Sequence, residues 1–373
     1  MPEKFSLCGR VIFCSMCSAF TEVQEPNSTI GPPVTDQPPL VGLKRWQRWL
    51  LVVLNIAFLL IGQSGAVILS RLYYDGGGKS IWMATLIQSA AFPVLFLPLC
   101  FFSFHKNHPP TPTIPASPSF RTLSMVYLFL GALLAGDNML YSIGLLYLPL
   151  STYSLICAAQ LAFNAIFSFF INSQKFTMLI LNSVILVTLS SCLVAVHSDP
   201  TDSNTRERIK GKSTVGFLCT LGASAAYSLL LSLMQFAFEK ILKKETFAVV
   251  LSMQIYTSLV ASCICVVGLF GSGEWRGLRE EMEGFGRGSV CYVMTLVGAA
   301  LAWQVSYVGV VGLIFMVSSL FSNVISILPL PLVPVFAAMF YHENMDGVKV
   351  VAMFLAIWGF ASYLYQNFLD DHT

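Results

Sequence analysis

Residues 130–150 read LGALLAGDNMLYSIGLLYLPL, an apolar run with one charged side chain, Asp137, in its middle. About 20 apolar residues carry an α-helix across the hydrocarbon core of a bilayer, so the run has the length of a membrane span and a carboxylate where lipid should be. The rest of the chain confirms that lipid is the right reference. Of 373 residues, 55% are hydrophobic and 11% charged, against roughly 25% charged in an ordinary soluble domain, and mean hydropathy is +0.72.

Ten such runs recur, at about 47–70, 80–104, 121–146, 149–171, 177–197, 213–238, 246–270, 288–312, 317–341 and 347–368. They predict an all-α, integral multi-pass membrane protein. The net charge of +2 gives no reason to expect a nucleic-acid partner. Seven cysteines (Cys100, Cys157, Cys192, Cys219, Cys263, Cys265 and Cys291) fall in or beside the runs and read as small buried apolar residues. Within the runs neither a Cys-x-x-Cys pair nor a His/Cys cluster calls for a metal, and no cofactor is indicated; Cys14 and Cys17, the one pair so spaced, lie outside the runs near the N-terminus.

Residues 1–43 are rich in Pro, Ser and Thr and are expected to be a disordered tail. The patch KFSLCGRVIFCSMCSAF has the order of a signal peptide, but its apolar part is too short and lacks a clean small-residue cleavage site. The first span begins KRWQRWLLV, with Lys44, Arg45 and Arg48 suited to headgroups and Trp46 and Trp49 to the interface. This flank favours a cytoplasmic N-terminus, and an even number of spans returns the C-terminus to the same side. On that orientation the sequon Asn27-Ser28-Thr29 stays out of the lumen. The remaining basic residues do not discriminate, because the 21 Lys and Arg divide almost evenly between the two sides. Plasma membrane and endomembrane both stay open, as does the oligomeric state.

The polar segment 198–212, SDPTDSNTRERIKGK, separates a first five-helix repeat, 44–197, from a second, 213–368, with a short tail at 369–373. Corresponding spans start about 166 to 170 residues apart, which points to an internal duplication. GALLAGD ending at Asp137 overlays GAALAWQ ending at Gln304, and Ser151-Thr152 overlays Ser318-Ser319, both 167 positions on. An odd number of spans per repeat inverts the second relative to the first. Secondary transporters share that plan, with their substrate site between repeats near the midplane.

Asp137 lies about 16 residues from Arg121, or roughly 24 Å along a helix. Away from span ends it is the sole intramembrane Asp or Glu, with no Lys or Arg for company. A carboxylate at this depth costs about 2.5 to 3.5 kcal/mol on insertion scales, so it is expected to face a watery cavity and to take up a proton. A protonated acid that simply bonds helices together is the alternative. Tyr141 stands one turn on, on the same face. In STYSLICAAQLAFNAIFS, Gln160 and Asn164 are four apart and share a face. Intramembrane amides also serve as helix glue, and the pair is stronger than either member. Gln254, Trp303-Gln304 and Asn323 are the polar positions of the second half, with Asn138 and Tyr256 as weaker site residues. Gln63 and Gln88 lie among small residues, where packing is the favoured role. Pro329, Pro331 and Pro334 crowd one span, as a kinked packing helix or as a flexible gate.

Without an intramembrane Lys or Arg the cavity has no permanent counter-charge for phosphate or carboxylate. Amides beside aromatic rings suit a neutral or weakly basic flat heterocycle, held by stacking and by the paired donor and acceptor that Asn and Gln offer to adenine. Gly78-Lys79-Ser80 and Gly211-Lys212-Ser213 resemble nucleotide-binding loops, but the required upstream glycine is replaced by Tyr73 and Arg206. A channel would show a carbonyl filter or a charged ring, and an enzyme a nucleophile with its base. Neither is visible, since His105, His197 and His342 all sit at span ends.

The segments LNIAFLLIGQSGAVILSRLYYDGGGKSIWMATLIQSAAFPVLFLP, GDNMLYSIGLLYLPLSTYSLICAAQLAFNAIFSFF, ETFAVVLSMQIYTSLVASCICVVGLFGSGEW and VGVVGLIFMVSSLFSNVIS resemble the plant purine permeases, a branch of the drug/metabolite transporter superfamily. The resemblance runs from about residue 44 to 370, and residues 1–43 lie outside it. It implies ten helices in two inverted repeats and proton symport of purine bases, cytokinins and related nitrogen heterocycles, with alkaloids or pyridoxine as alternative cargo. It adds weight to Asp137, Gln160 and Asn164. Family members often carry an acid at the position of Gln254, and the amide here weighs against a second titratable group. The expected cycle has Asp137 taking a proton while Tyr141, Gln160, Asn164, Gln254, Gln304 and Asn323 bind cargo stacked on Trp303, and the two halves rock to alternate access.

Overall fold

The structure, a computed structural model, describes residues 45–97, 99, 120–172, 177–197, 206–242, 247–327 and 346–370. The N-terminal tail with its sequon, most of the 198–212 linker, His105, His342 and the Pro329, Pro331 and Pro334 run lie outside the described residues. Helices α1 (Arg45–Asp75), α2 (Ile81–Ile87), α3 (Phe120–Tyr147), α4 (Leu150–Cys157), α5 (Gln160–Asn172) and α6 (Met178–His197) come first. They are followed by α7 (Arg206–Phe236), α8 (Phe247–Ser272), α9 (Leu278–Glu283), α10 (Ser289–Met316), α11 (Ser319–Ile327) and α12 (Gly347–Asp370). Among the described residues there is no strand, and six helical stretches are long and apolar enough to cross a membrane.

Three boundaries differ from the apolar runs. The run 80–104 is not one helix: α2 stops at Ile87, and a turn leads to a 3-10 segment, Phe92–Leu95, opened by Pro93. A proline has no N–H for the helical ladder and fits only near a helix start. The run 149–171 breaks at Ala158-Ala159, where i to i+3 bonds replace the ladder. At the other side of the polar segment, α7 begins at Arg206 and so extends into the expected linker through RERIKGK, which is rich in good helix formers.

Apolar side chains form both the outside of the bundle and most of its core, and the uncharged polar groups and the one carboxylate are kept within. Ile61, Phe170 and Val267 are more than two-thirds exposed, while Asn55, Gln88, Asp137, Asn138, Gln160, Asn164, Gln254 and Asn323 are buried. An apolar exterior with polar groups satisfied internally is what lipid as the solvent requires. In lipid no hydrophobic force drives helices together, so close backbone approach does more of the work. The longest contact is α1 along α10. A Cβ on Gly62 would lie 2.6 Å from the Ser306 nitrogen, and one on Gly309 would lie 2.6 Å from the Asn55 carbonyl oxygen. Only glycine permits the two backbones to meet there. Helix α3 packs along α7 and α8, α5 along α7, and α6 along α12.

One end of the bundle is clasped by carboxylates. The N–H groups of Lys79 and Ser80 donate to Glu281 Oε2 at 2.9 and 3.2 Å, and the hydroxyls of Tyr73 and Tyr292 donate to Glu281 Oε1 at 2.5 and 3.1 Å. Glu274 Oε2 accepts from the Ser80 hydroxyl at 2.6 Å and from the Trp82 N–H at 3.1 Å. The loop that resembles a phosphate cradle therefore holds the protein's own anions. At the same end Arg71 Nη1 donates to the carbonyls of Leu145 and Leu148, at 3.1 and 3.0 Å, which ties α1 to the end of α3.

Candidate functional site

Helices α1, α3, α4, α5, α7 and α10 surround a small cavity of about 50 Å³, below the roughly 300 to 1,000 Å³ usual for small-molecule sites, so a base-sized solute fits only once the walls part. Asp137 and Asn138 enter it side by side from α3, Gln63 and Val67 from α1, and Trp303, Ser306 and Tyr307 from α10. Gln88 reaches it from the C-cap of α2, where the backbone is still right-handed helical and its amide also bonds to the Ala84 carbonyl at 3.4 Å. Its Nε2 donates to the Ser142 hydroxyl at 2.8 Å and to the Asn138 carbonyl at 3.1 Å, so it braces α3 as well as lining the cavity.

Gln160 is the centre of a second cluster. Tyr141 donates its hydroxyl to Gln160 Oε1 at 3.2 Å, and Gln160 Nε2 donates to the Ser326 hydroxyl at 2.9 Å. The backbone carbonyl of Gln160 accepts from the Ser228 hydroxyl at 2.7 Å and from Asn323 Nδ2 at 3.2 Å. These bonds from α7 and α11 hold the chain at the α4 to α5 break. Discontinuous helices of this kind mark the binding region in several transporter folds.

Aromatic rings supply the walls. Trp303 and Tyr307 are stacked, with centroids 5.8 Å apart and planes 25° from parallel, and Trp303 Nε1 donates to the Ser70 hydroxyl at 3.3 Å. Tyr141 meets Tyr153 and Tyr227 edge-on at 6.1 and 6.4 Å. Three polar atoms on the lining are buried and have no hydrogen-bond partner: Gln63 Oε1, Asp137 Oδ1 and Asn138 Nδ2. Each unsatisfied atom of this kind costs about 1 to 3 kcal/mol, a cost that a bound polar solute relieves. Two acceptors and one donor, framed by rings, match the hydrogen-bonding edge of a flat nitrogen heterocycle.

Of the residues singled out from the sequence, Asp137, Asn138, Tyr141, Gln160, Trp303, Gln63 and Gln88 share this cavity. Asn164 and Asn323 adjoin it through the Gln160 cluster without lining it: Asn164 Oδ1 accepts from Ser232 at 3.3 Å, one turn below Gln160. Gln254 is buried off the lining, bonded to Ser258 at 2.9 Å, and Gln304 is buried with neither amide atom bonded. Tyr256 faces outward, 48% exposed and stacked on Tyr127 at 5.1 Å. Tyr153, Cys157, Tyr227, Ser306 and Tyr307 complete the lining and were not anticipated. Tyr307 had a usable signal, one helical turn after Trp303 on the same face.

A lipid-facing helical bundle around a buried polar and aromatic cavity is an integral membrane protein built to handle a small solute. A family model described as purine nucleobase transmembrane transport matches residues 50–373. Probable purine permease 11 of Arabidopsis thaliana is 58% identical over 344 residues, covering 92% of this chain and 88% of that protein. Probable purine permease 10 of the same plant is 52% identical over 352 residues, with 93% and 89% covered, and purine permease 21 is 51% identical over 351 residues, with 94% and 88% covered. The chain belongs to the purine permease family, whose members are transporters and not enzymes.

Proposed function

We propose that this protein is a proton-coupled symporter of purine bases and purine derivatives, cytokinins among them, working by alternating access. The observation that carries the proposal is Asp137 and Asn138 side by side on the cavity wall, each with a buried unpaired polar atom, opposite the Trp303–Tyr307 stack. In the proposed cycle Asp137 takes a proton and becomes a donor as well as an acceptor. A purine then bonds to Asp137, Asn138 and Gln63 and lies against the rings, while Gln160 and Tyr141 fix one edge. Loss of the proton on the other side of the membrane restores the carboxylate and weakens the cargo's hold.

The proposal includes ten membrane helices in two inverted repeats, 44–197 and 213–368, with both termini cytoplasmic. Helix pairing supports the repeat. Exchanging the halves at the 167-residue offset turns the α1 with α10 contact into the α7 with α3 contact, and the α8 with α3 contact into the α2 with α10 contact. The α6 with α12 pair maps onto itself. Gln304 stands where the exchange would place Asp137, so the second half carries an amide in place of the acid.

The test is uptake of labelled adenine into proteoliposomes with and without an inward proton gradient, competed by cytokinins, caffeine, pyridoxine and an alkaloid. Gradient-dependent adenine uptake that cytokinin blocks is expected. Gradient-driven accumulation of a different heterocycle, without adenine uptake, would retain the coupling and replace the cargo. Adenine uptake indifferent to the gradient would remove Asp137 from the proton's path.

A further inference from the structure

Below the cavity, on the side away from the Glu274 and Glu281 clasp, a polar seam runs down the bundle. Gln160, Asn164, Ser168 and Asn172 follow one another at intervals of four along α5 and therefore share one face. That face meets α7, as three bonds at successive levels record: Ser228 to the Gln160 carbonyl at 2.7 Å, Ser232 to Asn164 Oδ1 at 3.3 Å, and Asn172 Nδ2 to Gln235 Oε1 at 3.2 Å. Helix α11 closes the third side in the opposite direction. Its Ser326 sits at the level of Gln160, while the Ser319 N–H donates to Gln235 Oε1 at 3.0 Å. Gln235 Nε2 then donates to the exposed Glu239 at 2.7 Å, in the π-helical turn Ala237–Leu242 that continues α7.

From Gln160 to Asn172 the seam rises through 12 residue steps, or about 18 Å of helix, more than half of a hydrocarbon core about 30 Å thick. Polar side chains that only glue helices satisfy one another. Here Asn164 Nδ2, Ser168 Oγ and Asn172 Oδ1 are buried without a hydrogen-bond partner, although Asn164 and Ser168 are 0% and 1% exposed. Unpaired donors and acceptors in lipid-protected protein mark a surface made to be wetted at another stage. The opposite end of the cavity is closed in another manner, by Arg71, Glu274 and Glu281, each held in more than one hydrogen bond.

We propose that the α5, α7 and α11 seam is the closed form of a water-lined route by which cargo passes between the central cavity and the membrane face that carries Glu239. When α11 and α7 part from α5, Asn164, Ser168 and Asn172 exchange their missing partners for water, and Glu239 stands at the mouth. The route rests on the transport reading above only for the identity of its cargo.

The experiment places single cysteines at Ser168, Asn164, Ala352 and Glu239 in the full-length chain and treats sealed vesicles with a membrane-impermeant cationic methanethiosulfonate, added to one side at a time. Modification is read at each position by peptide mass spectrometry, so native thiols do not interfere. Glu239→Cys reports which side carries the mouth. Ala352 is equally buried but lies on α12, off the seam, packed with Leu155 and Leu193, and serves as the buried reference. Ser168→Cys is expected to react from the Glu239 side about tenfold or more faster than Ala352→Cys. Equal rates at Ser168 and Ala352 would overturn the route, however purine uptake turns out. Modification of Ser168→Cys in a protein that does not take up adenine would keep the route and discard the purine. If Ser168→Cys does not assemble, Asn164→Cys carries the same comparison.

Discussion

The hydroxyl of Tyr307 on α10 donates to Oδ1 of Asn138 on α3 at 2.9 Å, so the residue beside Asp137 is oriented from the other half of the chain. The bond presents the Asn138 amide nitrogen to the cavity. Removing it with Tyr307→Phe keeps the ring stacked on Trp303 and lets the amide turn. A buried hydrogen bond is worth about 1 kcal/mol, so the apparent KM for the base is expected to rise about fivefold with a smaller change in maximal rate. Initial rates of labelled uptake against concentration check this, and an unchanged KM would place Asn138 outside the cargo contacts.

Asp137→Asn keeps the shape of the carboxyl and removes its proton. Concentrative uptake under an inward proton gradient is expected to disappear while exchange of labelled for unlabelled base continues. Counterflow measured beside gradient-driven uptake separates the two. Gradient-driven accumulation equal to that of the parent protein would assign Asp137 to packing.

Gln160→Ala and Gln254→Ala form a contrasting pair. Gln160 lines the cavity and receives the Tyr141 hydroxyl, whereas Gln254 bonds to Ser258 off the lining. The first substitution is expected to raise the apparent KM about tenfold and the second by less than about threefold, at roughly 1.4 kcal/mol per factor of ten. Similar effects at the two positions would mean that the described cavity is not where cargo binds.

Glu281→Ala deletes an acceptor that serves Tyr73, Tyr292 and the Lys79 and Ser80 amides. Hydrogen bonds to a charged group are worth about 1.5 to 3 kcal/mol each, and water can replace part of this at the rim of the bundle. A fall of several degrees in the Tm of the purified protein is expected, with Glu281→Gln intermediate. Thermal unfolding followed by tryptophan fluorescence makes the measurement.

Asp137 was legible in the sequence because a lone carboxylate in a long apolar run has no ordinary explanation, and the bounds of α3, α8 and α10 follow the hydropathy closely. The break at Ala158-Ala159 was not. Alanine is the best helix former, so nothing local marks the switch to i to i+3 bonds, and the Ser228 and Asn323 bonds to the Gln160 carbonyl beside it come from residues distant in sequence. The aromatic walls were partly hidden for a related reason. Tyr153, Tyr227 and Tyr256 are alike in an apolar run, and only the packing of α3 against α4, α7 and α8 turns the first two inward and the third to the outside. Gln63 and Gln88 looked like packing amides because their neighbours are small. The same small neighbours are what let α1 and α10 approach and bring Gln63 to the cavity.

The contact of Gly62 and Gly309 with the facing backbones has a mechanical side. Two helices that meet main chain to main chain cannot slide or roll past each other without collision, so α1 and α10 form a single stiff beam made of one helix from each half. Whatever parts to admit a solute must give way along surfaces where side chains meet side chains. In the proposed alternating-access cycle this beam would travel as one piece across the boundary between the two repeats, and the yielding surfaces would lie to either side of it.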